Sequence, residues 1–197
     1  MRLSERQDEV LADLEIIFLE EGFKTITIAE LAARTKCSKR TLYDIAPSKQ
    51  DLVILVMTRW LSRIRHLGWT GALEHDDPVK RVEAYLSPGV SESRRASSQF
   101  LEDVQASTTA RTMLEAHQKE RTQVLKDILA DGVRRGRFRR LNPALVAEVF
   151  LASVGRINEP ALLDETRLGF SEAFSEFFQL ILHGIVKDDA KAAARKS

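Results

Sequence analysis

The sequence of 197 residues predicts an all-α protein of about nine helices. Apolar residues recur at three- and four-residue steps, as in Val10, Leu14 and Phe18, which is the period of an amphipathic helix. Ser, Thr, Asp or Asn residues stand just before such runs, where they can cap a helix N-terminus. The sequence shows neither the alternating pattern of a half-buried strand nor an internal repeat.

The first predicted helix begins at a capping box formed by Ser4 and Gln7. Gly22 is placed to end this helix, and Phe23 can then fold back on Phe18 in a Schellman ending. We expect the first helix to cover the short helices that follow it.

Three further helix starts lie close together after the first helix. Thr27 and Glu30 form a capping box, Ser38 is an N-cap candidate, and Ser48 is a third with Asp51 three residues on. Helices this short are unstable alone, so they must pack on each other and on the first helix.

The helix that begins at Ser38 exposes mainly hydrogen-bond donors, among them Lys39 and Arg40 in its first turn. A helix N-terminus already carries partial positive charge, so cations there are poorly placed unless an anion is near. A polyanion docked on this end removes the conflict. The arrangement is that of a helix-turn-helix, whose second helix places its first turn against base edges.

Four linked sequence pieces surround this helix. They are Phe18-x-x-x-Gly22-Phe23, Thr25-x-Thr27-Ile28-x-x-Leu31-Ala32, Ser38-x-x-Thr41-Leu42-Tyr43 and Ser48-Lys49-x-x-Leu52. The segment from about Ala12 to Val56 therefore resembles the DNA-binding domain of TetR-type transcriptional regulators. The resemblance implies a dimeric repressor of double-stranded operator DNA, released by a small-molecule inducer that the sequence does not identify.

Three departures from the family pattern affect the turn and the recognition helix. Lys36-Cys37 stands where the family usually has Gly-Val, so Lys36 is expected in a conformation that glycine tolerates more easily. Arg40 replaces a residue that is usually small. Ala46 replaces the usual phenylalanine and leaves space that Ile45 can fill.

Eight residues are predicted to contact DNA. Lys39 and Arg40 can donate to guanine O6 and N7, and Thr41 can touch a thymine methyl. Phosphate contacts are expected for Thr27, Ser38, Tyr43 and Lys49, and the resemblance supports this role for Tyr43 and Lys49. The full set is Thr27, Lys36, Ser38, Lys39, Arg40, Thr41, Tyr43 and Lys49. For Thr27 and Ser38, the alternative is that each hydroxyl only caps its helix and does not contact phosphate.

The layout of charge supports this prediction more than the net charge of +1 does. From Arg34 to Arg65 the chain carries eight cations and two anions, whereas acidic residues dominate before Arg34. A basic region beside an acidic face can orient a protein on DNA. The alternative is a solvated surface of mixed helices.

The remaining helices are expected to form a second domain. They are predicted from Ser48 to about His66, from Pro78 to Pro88-Gly89, from near Ser93, from Thr108 to Arg135, from Asn142 to Ile157 and from Asp164 to Val186. We predict a helix-turn-helix domain with its linking helix at 1–66, a ligand-binding and dimerisation domain at 67–186, and a flexible tail at 187–197.

The last two long helices are apolar over an unusually wide surface. The final helix is apolar over roughly 240°, whereas a helix packed on one side needs about 100°. We predict a homodimer with a four-helix interface formed by Leu145, Val149, Ala152, Phe170, Phe174, Phe177, Phe178 and Ile181. The alternative is that both are central core helices of one chain.

The resemblance further implies an inducer pocket in the helices between Pro78 and Val154. Its predicted lining is Phe100, Val104, Met113, His117 and Phe150. His117 can equally be a core histidine. A ligand that moves the helix after Ser48 would change the separation of the two recognition helices and release DNA.

Other function classes find little support. No apolar run approaches membrane-spanning length and the N-terminus has no hydrophobic signal, so we expect a cytoplasmic protein without membrane contact. The single Cys37 excludes an internal disulfide; a redox sensor and a small core residue are its two interpretations.

Catalytic signals are also missing from the sequence. Four scattered histidines form no metal motif, and there is no phosphate loop or nucleophile motif. We expect no cofactor and no enzyme activity. An all-α enzyme and a helical interaction module without DNA binding are the alternatives.

Overall fold

The computed structural model describes residues 4–157 and 159–185. Ten α-helices and no β-strand occur within these ranges, which confirms the all-α prediction with one helix more than expected. The helices are α1 (Glu5–Glu21), α2 (Ile28–Arg34), α3 (Lys39–Ile45), α4 (Lys49–Leu73), α5 (Pro78–Ser93), α6 (Ser98–Ala106), α7 (Thr108–Arg134), α8 (Pro143–Ile157), α9 (Pro160–Thr166) and α10 (Phe170–Ile185).

The chain forms two compact units. The first consists of residues 1–65 with 92–117, and the second of 66–91 with 118–197, as far as these ranges are described. Helix α6 therefore belongs to the same unit as the N-terminal helices, and α1 packs against it. In the second unit, α8 packs on α9 and α10.

The predicted helix starts in the first unit are confirmed. Ser4 and Thr27 each form a complete capping box, and Ser38 Oγ accepts from the Thr41 backbone N–H at 3.0 Å. Ser48 Oγ accepts from the Asp51 N–H at 3.1 Å. These local bonds satisfy donors that a helix N-terminus leaves unpaired.

The end of α1 differs from the predicted Schellman motif. Phe23 does pack on Phe18, with ring centroids 6.0 Å apart. Gly22, however, has φ +80° and ψ −179°, which is not the left-handed helical conformation of that motif. The Phe23 N–H bonds to the carboxylate of Asp103 instead of returning to a carbonyl of α1.

Two predicted helix ends are wrong, because in each case the helix continues past the predicted end. The linking helix does not stop near His66 but continues through Gly68 and Gly71. A Cβ on Gly68 would lie 2.7 Å from the Tyr85 carbonyl oxygen, so this glycine permits close approach of α5. Helix α5 likewise continues through Pro88.

The helix predicted near Ser93 begins later, at the Ser97 N-cap of α6, because Ser93 still belongs to α5. The single final helix is also wrong. Arg167 adopts a left-handed conformation with φ 58° and separates α9 from α10. The predicted end at Val186 lies outside the described residues.

Candidate nucleic-acid interface

Helices α2 and α3 pack together and form the helix-turn-helix in the first unit. Lys36 in the turn has φ 51°, which confirms the expectation of a conformation better suited to glycine. The Thr35 hydroxyl donates to the Leu31 carbonyl at 2.8 Å and helps to end α2.

Helix α3 is held by its inner face and presents its outer face to solvent. Leu42 and Ile45 are buried, whereas Lys39, Arg40 and Tyr43 are exposed. Within the described residues neither Lys39 nor Arg40 forms a salt bridge, so both charges are available to an external anion. This is the electrostatic requirement for a recognition helix.

The capping hydroxyls are already engaged within the chain. Thr27 Oγ1 accepts from the Glu30 N–H at 3.2 Å and donates to the Glu30 carboxylate at 2.7 Å. Ser38 Oγ lies 2.9 Å from the half-buried Thr41 hydroxyl, in addition to capping α3. Capping is therefore observed for both hydroxyls, and their phosphate contacts stay predictions.

Lys49 ties the start of α4 to the loop before α2. Its Nζ donates to the Lys24 carbonyl at 2.9 Å, and burial lowers the pKa of Lys49 from its ordinary value. An ammonium group has three donors, so this bond leaves two for a phosphate.

Asp103 is a residue that the sequence analysis missed. Its buried carboxylate, only 3% exposed as a residue, accepts from the Phe23 and Lys24 backbone N–H groups at 2.6 and 2.7 Å. Gln99 donates to its second oxygen at 3.0 Å. Asp103 follows Phe100 by three residues, so an acid on the apolar face of α6 was the available signal. Helix α6 thereby holds the loop that leads into α2.

A charge network fixes α1, α4 and the end of α5 within the first unit. Arg63 donates to Glu15 at 2.5 and 3.0 Å and to Glu92 at 2.8 and 3.2 Å. Arg95 donates to the same two carboxylates at 3.1 and 2.9 Å. The hydrogen bonds to Glu15 and then Glu92 raise the pKa of Arg63. Burial alone would raise the pKa of Glu92, but the bonds from Arg63 and Arg95 outweigh it and lower that pKa.

This network changes the interpretation of the basic region. Arg63 is paired with the buried Glu15 and the half-buried Glu92, and Arg59 pairs with Asp8 at 2.5 Å. Arg34 likewise pairs with Glu21 at the end of α1. Three of the eight cations counted in the sequence therefore neutralise acidic residues of α1. The positive charge available for binding DNA is therefore that of the exposed Lys36, Lys39 and Arg40 in the turn and α3.

The predicted interface residues are divided between the outside and the core of the second unit. Leu145, Val149 and Ala152 are exposed on α8. Phe174 and Phe178 are buried, while Phe170, Phe177 and Ile181 are half-buried. Leu180, which the prediction omitted, is exposed.

The predicted pocket residues belong to different units. Phe100, Val104 and His117 are buried in the first unit, where Met113 is half-buried. Phe150 lies in the core of the second unit, with its ring centroid 5.3 Å from that of Phe177.

Two further sequence expectations concern Cys37 and the membrane. Cys37 is half-buried, and its Sγ lies 3.2 Å from the Thr35 hydroxyl. None of the helices in 4–157 and 159–185 combines the length and apolarity that crossing a bilayer requires.

A helix-turn-helix with an exposed cationic second helix, followed by further helices, defines a DNA-binding regulator. Residues 14–56 match the profile described as "Bacterial regulatory proteins, tetR family", and residues 92–176 match "Tetracyclin repressor-like, C-terminal domain". Together the matches cover more than half of the chain. The chain belongs to the TetR family of transcriptional regulators.

Individual relatives agree with this assignment over nearly the whole chain. The uncharacterized HTH-type transcriptional regulator YvaF of Bacillus subtilis (strain 168) is 23% identical over 184 residues, covering 91% of this chain and 95% of YvaF. A putative transcriptional regulator from Saccharomonospora viridis, solved with choline, is 15% identical, with TM-score 0.76 and coverage of 94% and 100%.

A third relative was solved with DNA. AibR, in complex with isovaleryl coenzyme A and operator DNA, is 18% identical, with TM-score 0.61 and coverage of 89% of this chain and 97% of AibR. At these identities the two solved structures establish the shared fold.

Proposed function

We propose that this regulator is a homodimeric repressor that a small-molecule inducer releases from a palindromic operator. The observation that carries the proposal is the exposed face of α3, where Lys39 and Arg40 lack salt bridges to any described residue. Arg40 is the candidate for bidentate contact with guanine, and Tyr43 and Lys49 are candidates for phosphate contacts that set the register.

Dimerisation is supported by an exposed apolar stripe. Leu145, Val149 and Ala152 are spaced at four and three residues on α8, so they share one helix face. On α10, Leu180 is exposed and Phe177 half-buried beside the buried core residues. Exposed apolar side chains at helical spacing are typical of an interface between copies of a chain.

The coupling of an inducer to DNA would use contacts inside the first unit. Asp103 of α6 accepts hydrogen bonds from the loop before α2, and Lys49 of α4 donates one to the same loop. A ligand that shifts α6 or α4 would therefore change the position of the helix-turn-helix. The relatives solved with choline and with isovaleryl coenzyme A support a ligand-responsive regulator in general. We place this activity in the cytoplasm.

A titration of the protein against its own upstream DNA tests the proposal. Fluorescence anisotropy should show saturable binding of a dimer to a palindrome, with half-sites about one helical turn apart and much weaker binding to random DNA. Equal affinity for both DNAs at moderate salt would contradict sequence-specific repression.

A further inference from the structure

Trp60 of α4 has a buried indole that lacks a hydrogen-bond acceptor. The residue is 6% exposed, and its Nε1 donates no hydrogen bond to any of the described residues. Burying a donor without a partner is unfavourable, and buried tryptophan N–H groups usually have a hydrogen-bond acceptor. An acceptor that the described chain does not supply would remove this cost.

The aromatic ring that packs on Trp60 belongs to Phe100, which is one of the residues predicted to line the pocket. The Phe100 ring plane is nearly perpendicular to the indole plane, with ring centroids 5.4 Å apart and an interplanar angle of 87°. The Phe23 ring packs in turn on Phe100, with ring centroids 6.0 Å apart. Val104, four residues after Phe100 on α6, is also buried. Ligand sites typically combine such apolar walls with a few placed polar groups.

A trapped water is a less suitable acceptor than a ligand oxygen. An ordered buried water needs two to four polar partners, and the Phe100 ring beside Trp60 supplies none. An N–H directed at the Phe100 ring face is the other arrangement to be tested.

We infer that the Trp60 indole N–H is the donor that orients the inducer, which is then a mainly apolar molecule carrying a carbonyl or carboxylate oxygen. This rests on the proposed function, because it takes the protein to respond to a small molecule. The ligand would act directly on α4, whose first residue, Lys49, anchors the loop before α2.

The chain offers an internal reference for the test. Its two tryptophans give two indole signals in a ¹H–¹⁵N correlation spectrum of the full-length protein, and Trp69 is 49% exposed. Trp69→Phe assigns the signals. The probes are cyclohexanone and a medium-chain methyl ketone, each compared with the hydrocarbon in which C=CH₂ replaces C=O.

A ketone should move the Trp60 proton downfield in a saturable manner, the matched hydrocarbon should not, and the Trp69 signal should stay in place. Equal shifts with ketone and hydrocarbon would overturn the inference, because an apolar site would then suffice. A Trp60 signal that is shifted upfield and unmoved by every probe would also overturn it, since the N–H would face the Phe100 ring.

Operator binding measured on the same samples separates this inference from the proposed function. Trp60→Phe should keep operator affinity within about twofold while losing the difference between ketone and hydrocarbon in a thermal-shift assay. A wild-type protein that binds no operator would reject the proposed function, while a ketone-specific shift would still support the Trp60 site.

Discussion

Single residues decide the geometry of the turn between α2 and α3. Lys36 has φ 51°, a region that L-residues other than glycine adopt at a cost of about 1–2 kcal/mol. Glycine would lose about 0.5–1 kcal/mol through the entropy of the unfolded chain. Lys36→Gly is therefore expected to raise the free energy of unfolding by about 0.5–1 kcal/mol, as measured by urea denaturation. Lys36→Ala, which keeps a Cβ, should show no gain; a less stable Lys36→Gly protein would contradict the strain.

Arg40 is the residue whose replacement should alter sequence preference. Its side chain is exposed at the start of α3 and, within the described chain, carries no salt bridge. Arg40→Ala should cost about 1–3 kcal/mol on operator DNA and little on random DNA, because a bidentate guanine contact is lost. The control Tyr43→Phe should weaken both DNAs alike. Equal losses for Arg40→Ala would reject the base contact.

At the scale of helices, the capped N-termini could be predicted from the sequence, whereas two helix C-termini that depend on tertiary structure could not. Ser38 caps α3 as expected, and Asn142 caps α8 in the same way, because a cap bonds to residues only two or three positions away. Helix ends were predicted near His66 and at Pro88-Gly89, yet Gly68 and Pro88 both lie within helices. The close approach of α5 to Gly68 depends on a residue 17 positions later, which periodicity does not encode.

Gly68 tests this contact between α4 and α5. A Cβ there would lie 2.7 Å from the Tyr85 carbonyl, and backbone cannot move aside cheaply. Gly68→Ala should lower the free energy of unfolding by about 1–3 kcal/mol despite better helix propensity. In the same helix, Gly71→Ala meets its nearest atom at 3.5 Å and should be neutral or stabilising. Chemical denaturation of both variants measures these changes. A Gly68→Ala protein that is more stable than the wild type would contradict the close approach of α5 to Gly68.

The charge network makes the first unit sensitive to acid. The pKa of Glu92 is lowered in the folded chain, so its contribution is present above the unfolded value of about 4.5 and is lost as pH falls through the folded pKa. Urea midpoints of the wild type should therefore fall more steeply below pH 4.5 than those of Glu92→Gln. Parallel pH profiles for the two proteins would show that Glu92 gives no such linkage.

At the scale of the whole molecule, the central expectation is a symmetric pair. Val149 is 47% exposed on the α8 stripe, so Val149→Glu should fold normally but bury two unpaired carboxylates in the dimer. We expect the dimer dissociation constant to rise at least about 100-fold, equivalent to roughly 3 kcal/mol. Ile16→Glu, at a residue of α1 that is 44% exposed, is the control and should leave sedimentation unchanged. An undiminished dimer of Val149→Glu would place the interface elsewhere.

The sequence predicted the class of the molecule better than its assembly. The linked motif from Phe18 to Leu52 defined the family, because each piece is local and correctly spaced. The wide apolar arc of the final helix contains two kinds of position. Phe174 and Phe178 lie in the core of their own unit, whereas Leu180 is exposed. The periodicity of apolar residues could not distinguish core positions from interface positions, because both are occupied by the same residue types.

The distance between the two α3 helices in an operator-bound dimer tests the account most directly. Asp44 is exposed on α3 and is not among the predicted DNA contacts, so Asp44→Cys in a Cys37→Ser background gives one spin-label site per protomer. Pulsed dipolar spectroscopy should give a distribution centred at about 34–36 Å or a whole multiple, broadened by the label arms. The absence of a dipolar signal, or a centre midway between successive grooves, would contradict duplicate recognition helices set to the pitch of DNA.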